Sequence, residues 1–232
     1  MDWKPRTELG KLVAEGKITL DEIFAQGKKI KEPQIVDKLI PNLQTDLIFI
    51  GGSPGKGGGI KRTPTRRTTR MHRSGRRYRA SAMVVVGNGD GYIGVGKSVA
   101  VENRAAIAKA TENAKLNLMP VLRGCGSWEC GCGEKHTIPV EVEGKSGSSR
   151  VRLMPAPKGV GLCVSNEAKK VMRLAGIKDM WTKRQGESKT RNNYIIAIFD
   201  AFKRMNMMRL ESRAPAKEQE EKYEEVEEAD TE

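Results

Sequence analysis

The chain has 232 residues, 42 Lys and Arg against 29 Asp and Glu, a formal charge of +13 and four cysteines. That length leaves room for one or two domains with tails, and in an intracellular chain clustered cysteines suggest a metal before disulfides. No apolar run approaches the ~20 residues that a membrane-spanning helix needs, and the first twenty residues lack the apolar stretch of a signal peptide, so a soluble cytoplasmic protein is expected.

The charge is unevenly spread. Residues 215–232 hold nine acidic and two basic residues, whereas Lys56 to Arg79 holds ten Lys or Arg and no Asp or Glu. Such a run repels itself unless a polyanion neutralises it, and a nucleic-acid backbone is the polyanion it suits best. The acidic tail is low in complexity and too poor in apolar residues to fold. A solubilising role is its simplest reading, shielding of the basic run a second.

In chain order, residues 1–46 read as a helical extension. Thr19 and Glu22 fit a capping box ahead of Leu20, Ile23 and Phe24, with Gly27 as the stop. Pro33 opens a second helix with Ile35, Val36, Leu39 and Ile40 on one side. These helices are too short to build a core alone and are expected to dock on the next domain or on a partner.

Leu47–Ile50 reads as a short apolar strand. The Gly- and Pro-rich stretch after it predicts an irregular flexible loop. The Thr/Arg alternation that follows predicts an extended strand or arm, ordered only against phosphates. In Arg76–Leu118 two strands flank the turn GNGDG and lead into an Ala-rich helix. Tyr78, Ala80, Ala82, Val84 and Val86 share one face of the first strand, which predicts a core position for Tyr78, with base stacking as the lesser reading. Ile107, Ala108, Thr111, Ala114 and Leu118 form the expected apolar stripe of the helix.

Gly91 to Ser98 matches the phosphate-loop pattern G-x-x-x-x-G-K-[ST], and Tyr194–Asp200 resembles a strand ending in a magnesium-binding Asp. Both fail on context. Tyr92, Ile93 and Val95 read as strand where a loop is needed, and Ile195, Ile198, Phe199 and Phe202 are spaced as a helix with Asp200 inside it. A nucleotide hydrolase is therefore not expected.

Next come Cys125, Cys130, Cys132 and His136, in the order C-x4-C-x-C-x3-H. Three thiolates and an imidazole suit tetrahedral Zn²⁺, and the intervening glycines would let the backbone turn around the ion. A loop of reduced cysteines is the other reading. A catalytic zinc is disfavoured, because only Glu129 and Glu134 offer themselves as a base. Cys163 reads as a buried thiol.

From Thr137 alternation returns at Ile138, Val140 and Val142, KSGSS turns the chain, and Val151–Met154 forms a partner strand. Ser165 caps a helix with Ala168, Val171, Met172 and Ala175 inward, stopped by Gly176. Ile177–Trp181 predicts a further strand and 190–208 a final helix. Two strands, helix, strand, helix makes a compact α/β layer.

These residues resemble a known family. GRRYRASAMVVVGNGDGYIGVGKS, NRAAIAKATENAKLNL, SGSSRVRLMPAPKGVGL and AKKVMRLAGIKDMW, in that order over roughly residues 45–208, are similar to the universal small-subunit ribosomal protein S5 family. The GCGSWECGCG segment and the N-terminal extension point to its archaeal branch. The resemblance implies an α+β fold, with an N-terminal double-stranded-RNA-binding-like domain (sheet plus helix) before a small C-terminal α/β domain of left-handed βαβ topology. With it the chain divides into 1–46 as helical extension, 47–119 as RNA-binding-like domain with basic arm, 120–136 as Cys-rich linker, 137–210 as C-terminal domain and 211–232 as tail. It implies no enzymatic turnover and no required cofactor, structural zinc being the one metal the spacing suits. It implies binding to small-subunit ribosomal RNA, proteins S4 and S8 as neighbours, and a bearing on decoding accuracy and on the channel by which mRNA enters. The expected RNA-binding residues are Lys56, Lys61, Arg62, Arg66, Arg67, Arg70, Arg73, Arg76, Arg77, Arg79 and Lys97; the family's basic hairpin loop corresponds to Arg73–Arg79. The competing reading is a free-standing RNA chaperone or ribosome-assembly factor using the same module.

Overall fold

The computed structural model describes residues 3–55 and 57–208; the acidic tail and Lys56 lie outside that range. Three short helices open the chain: α1 (Glu8–Ala14), α2 (Leu20–Ala25) and α3 (Pro33–Leu39). The capping box is present, the Glu22 carboxylate accepting from the Thr19 backbone N–H at 3.0 Å, and Pro33 occupies the first turn of α3. Their apolar faces (Val13, Ile23, Ile35, Val36) are buried in one cluster with Ala80, Ala82, Val84 and Val86. The extension thus docks on the sheet that follows it.

Four strands follow, β1 (Gln44–Leu47), β2 (Gly51–Pro54), β3 (Ile60–Thr63) and β4 (Thr65–His72); β1 and β4 lie along one edge of that sheet, and β2 and β3 form a two-stranded sheet of their own. The edge strand β1 lies slightly ahead of the apolar run Leu47–Ile50 expected to form it. The Gly/Pro-rich segment also differs from expectation: β2 and β3 pair antiparallel, Gly51 with Thr63 through Pro54 with Ile60. A Cβ on Gly51 would stand 2.2 Å from the Thr65 carbonyl oxygen, so glycine here permits close strand approach rather than preventing regular structure.

The long strand β5 (Gly75–Gly87) is followed by β6 (Tyr92–Ala100), α4 (Asn103–Leu116) and β7 (Leu118–Pro120). One edge of β5 is shared by β1, at residues 84–87, and β4, at 75–82. The other edge pairs with β6 over 80–87. Ala106, Ala110 and Ala114 form the buried stripe of α4, while Ile107 is half-buried and Ala108 exposed. The helix is therefore rotated from the stripe expected. Close packing explains why: a Cβ on Gly94 or Gly96 would sit 2.2 or 2.0 Å from the carbonyl oxygens of Ala114 and Ala110. Glycine on the strand and alanine on the helix bring the two backbones together, leaving the larger Ile107 at the flank.

The second half contains β8 (Val142–Ser146), β9 (Ser149–Pro155), β10 (Leu162–Cys163), α5 (Asn166–Ala175), β11 (Met180–Gln185) and α6 (Arg191–Met207). Its sheet runs β10-β11-β9-β8, with β10 and β11 parallel across the α5 crossover. The strands at Ile138–Val142 and Ile177–Trp181 both begin later than alternation suggested; before β8 only Thr137 bridges back, to Gly124. Cys163 is exposed, because it ends a two-residue edge strand, not a core strand.

The two halves share a core. Met83, Val85 and Ile93, on the face of the first sheet away from α4, are buried together with Val171, Met172, Leu174, Ile195 and Phe199 of α5 and α6. Helices α1–α4 thus cover one face of the first sheet, and α5 and α6 fill the space between its other face and the second sheet. The buried carboxylate of Glu167 closes the seam, accepting from the Arg191 guanidinium at 2.8 Å and from the Phe49 backbone N–H at 3.1 Å.

Candidate nucleic-acid interface

Because β6 pairs with β5 only from Ala80 onward, residues 75–79 are held by β4 alone. The β4–β5 ribbon therefore projects five residues beyond the sheet, about 17 Å at ~3.4 Å per residue. Arg73 and Ser74 form its tip, and Gly75, at φ 106°, takes the left-handed conformation the reversal requires. Of the strand and the arm that the Thr/Arg segment suited, the structure has the strand, paired along its length with β5.

Register sorts the arginines. Arg70 faces Arg77, and Arg66 faces Ser81, with Arg79 beside them opposite Thr68. Side chains of opposed residues emerge on the same face, so Arg66, Arg70, Arg77 and Arg79 line one surface of the ribbon. Lys97, exposed and opposite Met83, continues that face on the sheet. The other surface carries Arg67, Arg76 and Tyr78. Tyr78 is 46% exposed, because the core ends at Ala80 although the alternation continues past it. The Arg67 guanidinium lies 5.6 Å from the centre of its ring. Lys61 and Arg62 are exposed on β3, and Lys56 falls outside the described residues. Among the described residues none of the cations placed here forms an ion pair, so within that range the ribbon's charge is unneutralised.

Gly91–Ser98 lies almost wholly in β6 and Asp200 inside α6, where its carboxylate accepts from the Lys145 backbone N–H and pairs with Arg204. The phosphate-loop resemblance therefore has no loop, and its glycines serve the contact with α4.

The sequence-predicted metal ligands do come together. The ligand atoms of Cys125, Cys130, Cys132 and His136 all lie within 4.8 Å of one another. Cys130 Sγ is 3.3 Å from Cys132 Sγ and 3.8 Å from His136 Nε2, and Cys132 Sγ is 3.7 Å from Cys125 Sγ. Two ligands ~2.3 Å from a tetrahedral metal stand about 3.8 Å apart, so the cluster has the size of a zinc tetrahedron. Burial pushes the Cys125 thiol up to about 11, with its two neighbouring thiols adding to the effect. Hydrogen bonds from the backbone of Lys158, then of Cys132, bring Cys130 down to about 6. The residue that sequence reasoning missed is Asp179. Its Oδ2 lies 2.9 Å from His136 Nδ1, leaving Nε2 turned to the cysteines. Its Oδ1 accepts from the Gly159 and Gly161 backbone N–H groups at 3.1 and 2.7 Å. Nothing in the spacing could have paired it with a histidine 43 residues away.

Residues 64–122 match the family model described as ribosomal protein S5, N-terminal domain, and residues 144–214 the model of its C-terminal domain. The small ribosomal subunit protein uS5 of Pyrobaculum aerophilum is 50% identical over 202 residues, covering 87% of this chain and 86% of that protein. Those of Nanoarchaeum equitans and Thermoplasma volcanium are 46% and 49% identical over 211 and 210 residues, each spanning 90% of this chain and 90% and 88% of their own. With both models matched in order and such relatives along most of its length, the chain belongs to the ribosomal protein S5 family, of the archaeal type.

Proposed function

We propose that this chain is a structural constituent of the small ribosomal subunit in the cytoplasm, holding ribosomal RNA through the β4–β5 ribbon and performing no catalytic turnover. The observation that carries the reading is that ribbon, two-faced, arginine-lined and without an ion pair among the described residues. Double-stranded RNA hides its base edges in a narrow major groove, so a protein grips it by phosphate position and shape. Arginine suits that task because its planar fork can bond two phosphate oxygens at once. Arg66, Arg70, Arg77 and Arg79 are the contacts of one face, Arg67, Arg73 and Arg76 those of the other and the tip; Lys61, Arg62, Lys97 and Lys56 add charge around them. Replacing Arg76, Arg77 and Arg79 by Ala should lower the salt slope of RNA binding by about 0.7–0.9 for every phosphate left without its cation; an unchanged slope would remove the ribbon from the interface. Co-sedimentation with the small subunit at high salt separates this role from that of a free-standing RNA chaperone or assembly factor, which would stay in the free fraction.

The finer assignments belong to the same reading. Proteins S4 and S8 are its neighbours, and its position bears on decoding accuracy and on the channel by which mRNA enters. Residues 47–119 and 137–210 act as the RNA-binding-like and C-terminal domains, joined by the Cys-rich linker. In that linker Cys125, Cys130, Cys132 and His136 hold a structural Zn²⁺. Four protein ligands leave no open position, so the ion would brace the loop and do no chemistry. Elemental analysis of gently purified protein decides: near one equivalent of zinc is expected, and less than half an equivalent counts against the site.

A further inference from the structure

The cysteine cluster has a buried side and an open one. His136 is buried against Asp179, and the start of the loop is pinned beside it. Gly124 and Thr137 exchange backbone hydrogen bonds at 2.8 and 3.0 Å. Ser127 is buried, and a Cβ on Gly126 would stand 2.0 Å from the Pro139 carbonyl oxygen. Past Ser127 the chain turns outward: Trp128 is 90% exposed, and Glu129, Gly131, Cys132, Gly133 and Glu134 are exposed with it.

The two thiols of the open side are also the two that stand closest. Cys132 is exposed and Cys130 half-buried, and their sulfurs are 3.3 Å apart. That is shorter than the ~3.8 Å edge of a zinc tetrahedron. Cys125 is farther from Cys132, at 3.7 Å, and its Sγ is engaged at 3.1 Å with the Cys130 carbonyl. Only Gly131 separates Cys130 from Cys132, and a Cβ there would meet nothing within 4 Å, so the backbone between the two thiols has room to move. A disulfide brings its sulfurs to about 2.05 Å, a closure of about 1.2 Å from the distance seen. Cys163, the remaining thiol, is exposed as well but stands outside the cluster.

We propose that Cys130 and Cys132 form a peroxide-sensitive dithiol, whose oxidation to a disulfide releases the metal. Ligation keeps the cysteines as thiolates, and peroxide selects an accessible thiolate beside a resolving cysteine. The Cys132 thiolate attacks one oxygen of hydrogen peroxide: an S–O bond forms, the O–O bond breaks and hydroxide leaves. The Cys130 thiolate then attacks the sulfenic sulfur, forming the S–S bond and expelling a second hydroxide. Two thiolates lose two electrons in all, and one peroxide gains them. Cys125 and His136 alone fill only two of the four tetrahedral positions, so the ion is lost, its own charge unchanged. The buried anchors of the loop involve neither sulfur, which confines the change to the outer part around Trp128. An exposed disulfide between cysteines two residues apart is of the labile kind, and thiol reductants reverse it. For the metal that it releases, the inference rests on the zinc reading of this site, and the experiment separates the two.

The full-length chain, loaded with zinc and freed of excess metal, is treated with hydrogen peroxide at neutral pH beside a chromophoric zinc chelator. Remaining thiols are alkylated, and the disulfides are mapped by mass spectrometry of unreduced peptides. Glu129 lies between Cys125 and Cys130 in the sequence. Cleavage after it leaves a Cys130–Cys132 bridge within one fragment, whereas a bridge to Cys125 links two. The expected result is release of about one equivalent of zinc in step with the loss of two thiols. The bridge joins Cys130 to Cys132, Cys163 is still a thiol at that point, and a dithiol reductant restores zinc binding. Zinc retained while peroxide consumes Cys163, a bridge that includes Cys125, or sulfinic acid in place of a bridge overturns the proposal. A chain that holds no zinc at the start sinks the zinc reading, and the same peptide map still decides the dithiol. In Cys130→Ser, which lacks the resolving thiol, the Cys132 sulfenic acid should persist and be captured by dimedone; capture on Cys125 in its place counts against the proposal. The unaltered chain carries the main measurement, so a variant that misfolds leaves the question decidable.

Discussion

His136 and Asp179 meet side chain to side chain at 2.9 Å, exposed to solvent by only 2% and 5%, and this contact ties the cysteine cluster to the second half of the chain. A carboxylate on Nδ1 fixes the imidazole tautomer and the ring orientation, so that Nε2 faces the thiols.

Asp179→Asn keeps the shape of that contact and removes its charge. Zinc affinity, read by competition with a chromophoric chelator, should fall about 10–100-fold. An unchanged affinity would mean that the pair serves packing alone.

Gly96→Ala tests the packing of β6 on α4. The added methyl would meet the Ala110 carbonyl oxygen at 2.0 Å and the Ala114 nitrogen at 2.3 Å, both backbone atoms that cannot swing aside. A loss of about 1–3 kcal/mol is expected, seen as a lower urea midpoint at constant m-value. Lys97→Ala, by contrast, should alter no nucleotide hydrolysis, since the segment is strand.

Arg70 and Arg77 are directly opposed like charges on the ribbon. Arg77→Thr should stabilise the free chain by about 0.2–1 kcal/mol through relief of repulsion, while lowering the salt slope of RNA binding. Opposite signs in the two measurements identify a charge kept for a partner. A variant less stable than the parent would show that Arg77 contributes to the fold.

Glu32 offers a pH test. Partial burial alone would raise its pKa. Hydrogen bonds from Thr7, Arg6 and Trp3 outweigh that and hold the carboxyl below its usual 4.5. A depressed folded-state pKa means that the stabilisation is complete above the ordinary carboxylate range and is lost as pH falls through the lower value. The Trp3 indole N–H resonance should therefore shift with a midpoint below 4.5, and Glu32→Gln should abolish that titration.

Much of this was legible from the residues, for reasons that also mark where legibility stopped. Alternation in β5 is a local property, and it correctly placed Ala80 to Val86 against a helix. The same alternation misplaced Tyr78, because a period reports which face a side chain takes and not where the covering layer ends. The stripe of α4 was misread because a buried alanine and a surface alanine are alike in sequence; the glycines that meet them lie on another element. The β2–β3 pairing was hidden by its glycines, whose local signal is flexibility and whose use depends on the strand opposite. The four metal-ligand candidates were found because they sit within twelve residues. Asp179 was not, since only the folding of the second half brings it to a histidine 43 residues away.

β5 is one uninterrupted strand whose inner end is buried on both faces, Met83 and Val85 toward α5 and α6, Ala82 and Val84 toward α4. A slip of one residue anywhere along it would exchange these two sets and expose the wrong one. The orientation of Arg77 and Arg79 at the outer end is therefore dictated by valines some 20 Å away, at ~3.4 Å per residue. The hydrophobic interior acts as the phase reference for the charges at the tip, and a substitution deep in the core could misaim the ribbon without touching a single arginine.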